Sequence, residues 1–84
     1  MTKQRISIVI ADDNDVMRSV LRAMLRGEEY DVIGEASNGV VAVDLAGRLK
    51  PDIVCLDVMM PEKNGIEALC EIKSTLPDTE VESM

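Results

Sequence analysis

The sequence predicts an α/β protein with a parallel sheet, laid out as a βαβαβα unit. Three observations carry this expectation. Ile6–Ala11 (ISIVIA) and Ile53–Leu56 (IVCL) are short β-rich runs without clean alternation, as expected of strands covered on both faces. The segments between strands repeat apolar residues at three- and four-residue steps. The apolar content is almost wholly aliphatic, which suits packed α/β layers. Tyr30 is the only aromatic, and Phe, Trp and His are absent.

Taken in order, the first strand ends at Ala11 and a helix is expected over residues 15–26. Met17, Val20, Leu21, Met24 and Leu25 form its apolar stripe, with Met17 and Met24 expected in the core. Arg18, Arg22 and Arg26 line another face, and Gly27 is a stop signal. Residues 30–36 read as a second strand closed by Ser37-Asn38-Gly39, a turn with cap-forming side chains. A second helix over 40–49 carries Val41, Leu45 and Leu49 on one stripe, with Pro51 beyond it. The third strand ends at Asp57, and a loop containing Pro61 follows. Asn64 with Glu67 three residues on forms a capping-box pattern for a third helix, whose stripe is Ile66, Leu69 and Ile72 and which Pro77 closes. Residues 78–84 begin like another strand and stop. Strand–helix–strand units of this kind make right-handed crossovers in a parallel sheet.

Composition narrows the function. Eighty-four residues hold one domain or less, and a chain this short buries only roughly 60–65% of its unfolded surface. A net charge of −7 and a lack of stacking rings argue against nucleic-acid binding, and the acidity argues equally against a membrane surface. Cys55 and Cys70 stand in no metal-ligand spacing and read as reduced core thiols. The start Met1–Arg5 ahead of an apolar run is unlike a signal peptide, because the run is short, broken by Ser7 and followed by acids. A cytoplasmic location is expected.

The chemistry concentrates in acids at strand ends. Asp12, Asp13 and Asp15 follow the first strand and Asp57 follows the third. Open α/β sheets place ligand sites beyond the carboxyl ends of their strands, where successive crossovers leave in opposite directions. With strand order 2-1-3, that crevice lies between strands one and three, so Asp12 and Asp13 face Asp57. Clustered carboxylates repel, and a cation offsets the repulsion. With no His and no softer donor nearby, oxygen ligands favour Mg²⁺ over zinc or copper. Asp57 is then placed to attack phosphorus as a nucleophile. The plainer alternative is that these acids cap helices, a role open to Asp13, Asn14 or Asp15 and the better reading for Asp15.

At this point the residues resemble a known family. Ile8-Val9-Ile10-Ala11-Asp12-Asp13 before an amphipathic helix is similar to the opening of a response-regulator receiver domain of two-component signalling. Asp57-Val58-Met59-Met60-Pro61, with Gly65 eight residues after Asp57, resembles its phosphoacceptor loop, and Asn38-Gly39 fits the start of its second helix. The resemblance implies a flavodoxin-like fold and a non-enzymatic signalling module. In that role Asp57 is phosphorylated by a sensor histidine kinase or phosphotransfer protein, in a Mg²⁺-dependent step. It implies that Asp13 ligates the metal, that Asp12 supports it through water, and that Met59 offers its backbone carbonyl. Pro61 and Gly65 would shape the loop, and Lys63 departs from the apolar residue common there. The first helix, with its arginines, would help dock the kinase; the alternative is a solvated face pairing with Glu28 or Glu29.

Receivers of this family have five strands and five helices, so residues 1–84 are expected to form only the amino-terminal part, ending after the third helix. The family's Ser/Thr after strand four and Lys after strand five have no counterpart here. Loss of such an electrostatic stabiliser typically costs about 2.7–4 kcal/mol at the transition state, so impaired phosphotransfer is expected. A bare third-strand edge and an exposed first helix predict self-association through that edge or by element exchange. Two other functions stay open. A docking module or fragment would bind without switching. A phosphohydrolase would use Asp12-Asp13-Asn14-Asp15-Val16, which is similar to the haloacid-dehalogenase signature, with Asp13 as nucleophile and Asp15 as general acid.

Overall fold

In a computed structural model, which describes residues 5–27, 29–57, 59–60 and 64–83, strand and helix alternate along the chain. The elements are β1 (Ile6–Ala11), α1 (Asp15–Met24), β2 (Tyr30–Ala36), α2 (Gly39–Leu49), β3 (Ile53–Leu56), α3 (Gly65–Thr75) and β4 (Glu80–Ser83). All strand pairs are parallel, and the sheet order is β2-β1-β3-β4. The expected 2-1-3 arrangement is present and extended by one strand. This corrects the expectation of a βαβαβα unit with a bare third edge: β3 is covered by β4, with Val54 in register with Val81. The turn into β4 is tied back to the start of β3. Thr79 is buried and donates through Oγ1 to the Pro51 carbonyl at 2.9 Å, and the Glu80 amide donates to the Asp52 carbonyl at 2.9 Å. Lys73 adds a bond from Nζ to the Thr79 carbonyl at 2.7 Å.

Each helix begins on an asparagine. Asn14, Asn38 and Asn64 accept from the amides of Met17, Val41 and Glu67 respectively, satisfying donors that an unfinished first turn leaves open. Asn64 and Glu67 complete the reciprocal capping box that their spacing predicts. Helix α1 ends at Met24, two residues before Arg26, and the chain turns at Gly27 with φ 149°, a value that disfavours any side chain.

Alternation sorts the sheet into two faces. On one, Val9, Ala11, Val54 and Leu56 meet Ala42 and Ala46 of α2 and Ala68 and Ile72 of α3 in the main core. Ile8 and Ile10 are as deeply buried but serve the opposite face, under α1. The helical stripes differ from expectation. Val41, Leu49 and Ile66 are exposed, while Gly39, Ala42, Ala46, Gly65 and Ala68 are buried and Leu45 and Leu69 flank them. The reason is that α2 and α3 share one sheet face and pack on each other as well as on the strands. Close approach of two helices and a sheet selects the smallest side chains at the centre and moves larger ones to the margins.

Helix α1 has no fully buried residue, and Met17, Val20 and Met24 are exposed. This overturns the expectation that Met17 and Met24 lie in the core. Among the described residues α1 has no second helix beside it, so only the strip facing the sheet, including Leu21 and Leu25, is partly covered. Cys70 is likewise exposed and not a core thiol, whereas Cys55 is half-buried; both are free. Pro61, Lys63 and Glu28, which the sequence singles out, lie outside the described residues.

Two substitutions test this packing. Ala68→Leu should destabilise the protein by about 1–3 kcal/mol through overpacking at the α2–α3–sheet contact. Asn64→Ala should cost about 1 kcal/mol through loss of the cap. Urea midpoints at constant slope measure both.

Candidate metal centre

The pairing of β1 with β3 continues one step past both strands. Ala11 is in register with Leu56, and the Asp57 amide then donates to the Ala11 carbonyl at 2.9 Å. On the other side the Asp12 amide donates to the Ala36 carbonyl at 3.0 Å. Backbone bonds thus hold both residues at the carboxyl edge of the sheet, on the two sides of the β1–β3 switch point. One carboxylate oxygen from each of Asp12, Asp13 and Asp57 lies within 4.8 Å of the others. The three differ in access: Asp12 is buried, Asp57 partly exposed and Asp13 exposed.

Local turns orient two of these groups. Asp12 Oδ1 accepts from the Asn14 amide at 2.9 Å, and Asp57 Oδ1 accepts from the Met59 amide at 3.0 Å. Met59 exposes its side chain, while Met60 next to it is buried in the main core and anchors the loop after Asp57. The donor set is all oxygen, with three formal negative charges and no thiol or imidazole, which fits a hard divalent cation such as Mg²⁺.

Asp15 is not one of the three. Its side chain is exposed and pairs with Arg18. Arg18 also donates from Nη1 to the Asp12 backbone carbonyl at 2.6 Å and lies 3.4 Å through Nε from Glu35 Oε1. Arg22 pairs with the other oxygen of Glu35. Both arginines on α1 are therefore tied to Glu35 on β2, and Arg18 braces the segment that carries Asp12. Glu35 and this bracing role were not read from the sequence. The sequence suggested Glu28 or Glu29 as partners for these arginines, whereas the Glu35 contact exists only once β2 lies beside β1.

Comparison with known proteins agrees with this geometry. The model of the response regulator receiver domain matches residues 8–84. This chain belongs to the response-regulator receiver family. It is 38% identical over 76 residues to the chemotaxis protein CheY of Listeria monocytogenes, covering 90% of this chain and 64% of that protein. It is 48% identical over 67 residues to the transcriptional regulatory protein PdtaR of Mycobacterium tuberculosis, covering 80% of this chain and 33% of that protein. Among solved structures, the response regulator domain of Thermotoga maritima CheB superposes with a TM-score of 0.88 at 38% identity, over 94% of this chain and 59% of that one. The receiver chain thus spans between a third and just under two thirds of the curated relatives it matches. A phosphohydrolase built on Asp13 and Asp15 finds no support here, because Asp57 and not Asp15 completes the cluster.

Among the described residues, one titratable group of this receiver is displaced from its ordinary range. Burial, and secondarily the charge of Glu82 on the neighbouring strand, push the Cys55 thiol above its ordinary range. The fold therefore favours the protonated thiol. The unfolded chain ionises first as pH rises, so this contribution to stability is intact below the ordinary thiol pKa and is lost as pH climbs through the raised value. Glu82→Gln should make Cys55 more reactive toward a thiol reagent at mildly alkaline pH. Exposed Cys70 should keep its rate, with the two sites separated by peptide mass analysis.

Proposed function

We propose that this receiver accepts a phosphoryl group on Asp57 from a sensor histidine kinase or phosphotransfer protein, with Mg²⁺ held by Asp12, Asp13, Asp57 and the Met59 backbone carbonyl. The convergence of the three carboxylates at the β1–β3 switch point carries this reading. Asp57 is the acceptor because it is partly open to solvent while its backbone is fixed to β1. A carboxylate oxygen of Asp57 attacks the phosphorus of a phosphohistidine. A P–O bond forms, the P–N bond breaks, and the imidazole leaves with the bonding electron pair. In this reading Asp13 would ligate the metal directly, and Asp12, which is buried and accepts from the Asn14 amide, would support it through water. Mg²⁺, when bound, supplies positive charge that offsets the carboxylates' repulsion and stabilises the phosphoryl oxygens. A related structure supports the assignment by its composition: a complex of CheX and CheY from Borrelia burgdorferi, with BeF₃ and Mg²⁺, matches at 28% identity with a TM-score of 0.88.

The matched region is proposed to be the amino-terminal part of a receiver, since the chain spans at most 64% of these curated relatives. A cytoplasmic site of action follows from the kinase partner. A docking module that binds without switching is the second reading. Self-association remains part of the proposal, though not through β3, which β4 covers.

Phosphotransfer from a radiolabelled kinase, run beside a Mg²⁺ titration, separates these readings. The wild-type chain should take up label only with Mg²⁺; Asp57→Asn should take up none, and Asp13→Asn should weaken Mg²⁺ binding. Thermal stability should rise with free Mg²⁺ in the wild type and much less in Asp13→Asn. Mg²⁺ binding without any label on Asp57 would leave the docking module. Label retained by Asp57→Asn would overturn the assignment.

A further inference from the structure

Arg18 is engaged through all three of its guanidinium nitrogens. Nη1 donates to the Asp12 backbone carbonyl at 2.6 Å, Nη2 pairs with Asp15 Oδ1, and Nε lies 3.4 Å from Glu35 Oε1. Its side chain is only 16% exposed, against 50% for Arg22 on the same helix. A planar guanidinium held in three directions cannot turn without breaking a contact, a constraint that the point charge of an ammonium would not impose. Glu35 is itself held, since its second oxygen pairs with Arg22 and its backbone lies in register with Ile10 of β1. A continuous set of polar contacts therefore runs from β2, through Glu35 and Arg18, to the carbonyl of Asp12.

That carbonyl belongs to the planar peptide unit joining Asp12 to Asp13, the two acids that the end of β1 brings to the cluster. The Asp12 amide is fixed to Ala36 and its carboxylate accepts from the Asn14 amide. The backbone freedom left is rotation of the Asp12–Asp13 peptide, through ψ of Asp12 and φ of Asp13. Such a rotation would swing the Asp13 carboxylate relative to those of Asp12 and Asp57. We infer that Arg18, held by Glu35, is a positioning residue for the metal centre: it fixes this peptide and with it the direction from which Asp13 reaches the cation. The inference rests on the reading of Asp12, Asp13 and Asp57 as a Mg²⁺ site, and extends it to two side chains that touch no metal. Charge by itself acts in the opposite sense. A cation beside the cluster repels Mg²⁺, so if charge were the whole role of Arg18, removing it would tighten metal binding. Placement and charge thus differ in sign.

Mg²⁺ titration of the whole chain, followed by NMR, tests the assignment. Arg18→Lys keeps the charge and Arg18→Met removes it at similar length, and each should weaken Mg²⁺ binding about tenfold, the scale found for groups that orient metal ligands. Glu35→Gln should weaken it by a smaller factor, and most of that effect should vanish in the Arg18→Met background, because both act through one contact. Arg48→Met, which breaks the remote pair with Asp44 on α2, should leave binding unchanged. Amide hydrogen exchange gives a readout without metal. Exchange at Asn14 should quicken in the Arg18 and Glu35 variants, while the Asp57 amide, bonded to Ala11, keeps its protection. Circular dichroism checks folding, and Glu35→Gln, the mildest change, carries the test if an Arg18 variant loses structure. Wild-type affinity in Arg18→Lys, or tighter binding in Arg18→Met, would sink the positioning role and leave the metal site standing. Wild-type affinity and wild-type Asn14 exchange in Glu35→Gln would remove Glu35 from it. A wild-type chain that binds no Mg²⁺ would take down the metal reading and this inference together.

Discussion

The parallel pairing of β1 with β3 is the constraint on which the rest of this molecule depends. Two strands far apart in sequence become neighbours, in a register that sets Ala11 beside Leu56. The residues that follow those partners are then acids held a few ångström apart. Backbone bonds from Asp12 to Ala36 and from Asp57 to Ala11 fix where the chain leaves the sheet. The site therefore has a base fixed by backbone bonds although Asp13 is exposed and Asp57 partly so. A one-step slip of β3 would reverse its buried and exposed faces, carrying Val54 and Leu56 out of the core. The core and the acidic cluster thus hold the same register.

Small side chains make that register affordable on the other side of the sheet. Ala42, Ala46 and Ala68, with Gly39 and Gly65 at the helix starts, let α2 and α3 lie against each other and on the strands together. Large aliphatic residues at the same positions would force the helices apart and open the sheet between β1 and β3. Gly34 extends the same logic to β2, where an added Cβ would come within 3.2 Å of Leu49 Cδ1. The three asparagine caps set where each helix begins, and two of them, Asn14 and Asn64, lie on segments that lead away from the strand ends bearing Asp12 and Asp57.

The two faces of the sheet are consequently unlike. One is closed by two helices around the main core, and the other carries, among the described residues, a single helix with Met17, Val20 and Met24 exposed. Arg18 compensates in part by joining α1 to Asp15, to Glu35 and to the Asp12 carbonyl, so polar contacts position a helix that packing alone leaves loosely seated. The same helix is thereby coupled to the acidic site, since the guanidinium that holds α1 also holds the backbone at Asp12.

The sequence by itself determined the element order, because strand runs, helical periods, asparagine caps and turn residues are local properties. It also determined the chemistry available at the strand ends, since Asp12, Asp13 and Asp57 were identifiable from their positions after buried runs. Tertiary structure decided which apolar residues became core. Val41, Leu49, Ile66, Met17 and Met24 are all apolar and helical, yet all are exposed, because burial depends on which helices share a sheet face and how closely they approach. The fourth strand was equally a tertiary decision. Residues 78–84 begin like a strand in the sequence, but Glu80–Ser83 is short and acidic, and it forms because β3 offers open backbone groups in register and Thr79 ties the turn to Pro51. Glu35 is the plainest case: nothing local marks it, and only the side-by-side placement of β1 and β2 under α1 makes it the partner of two arginines.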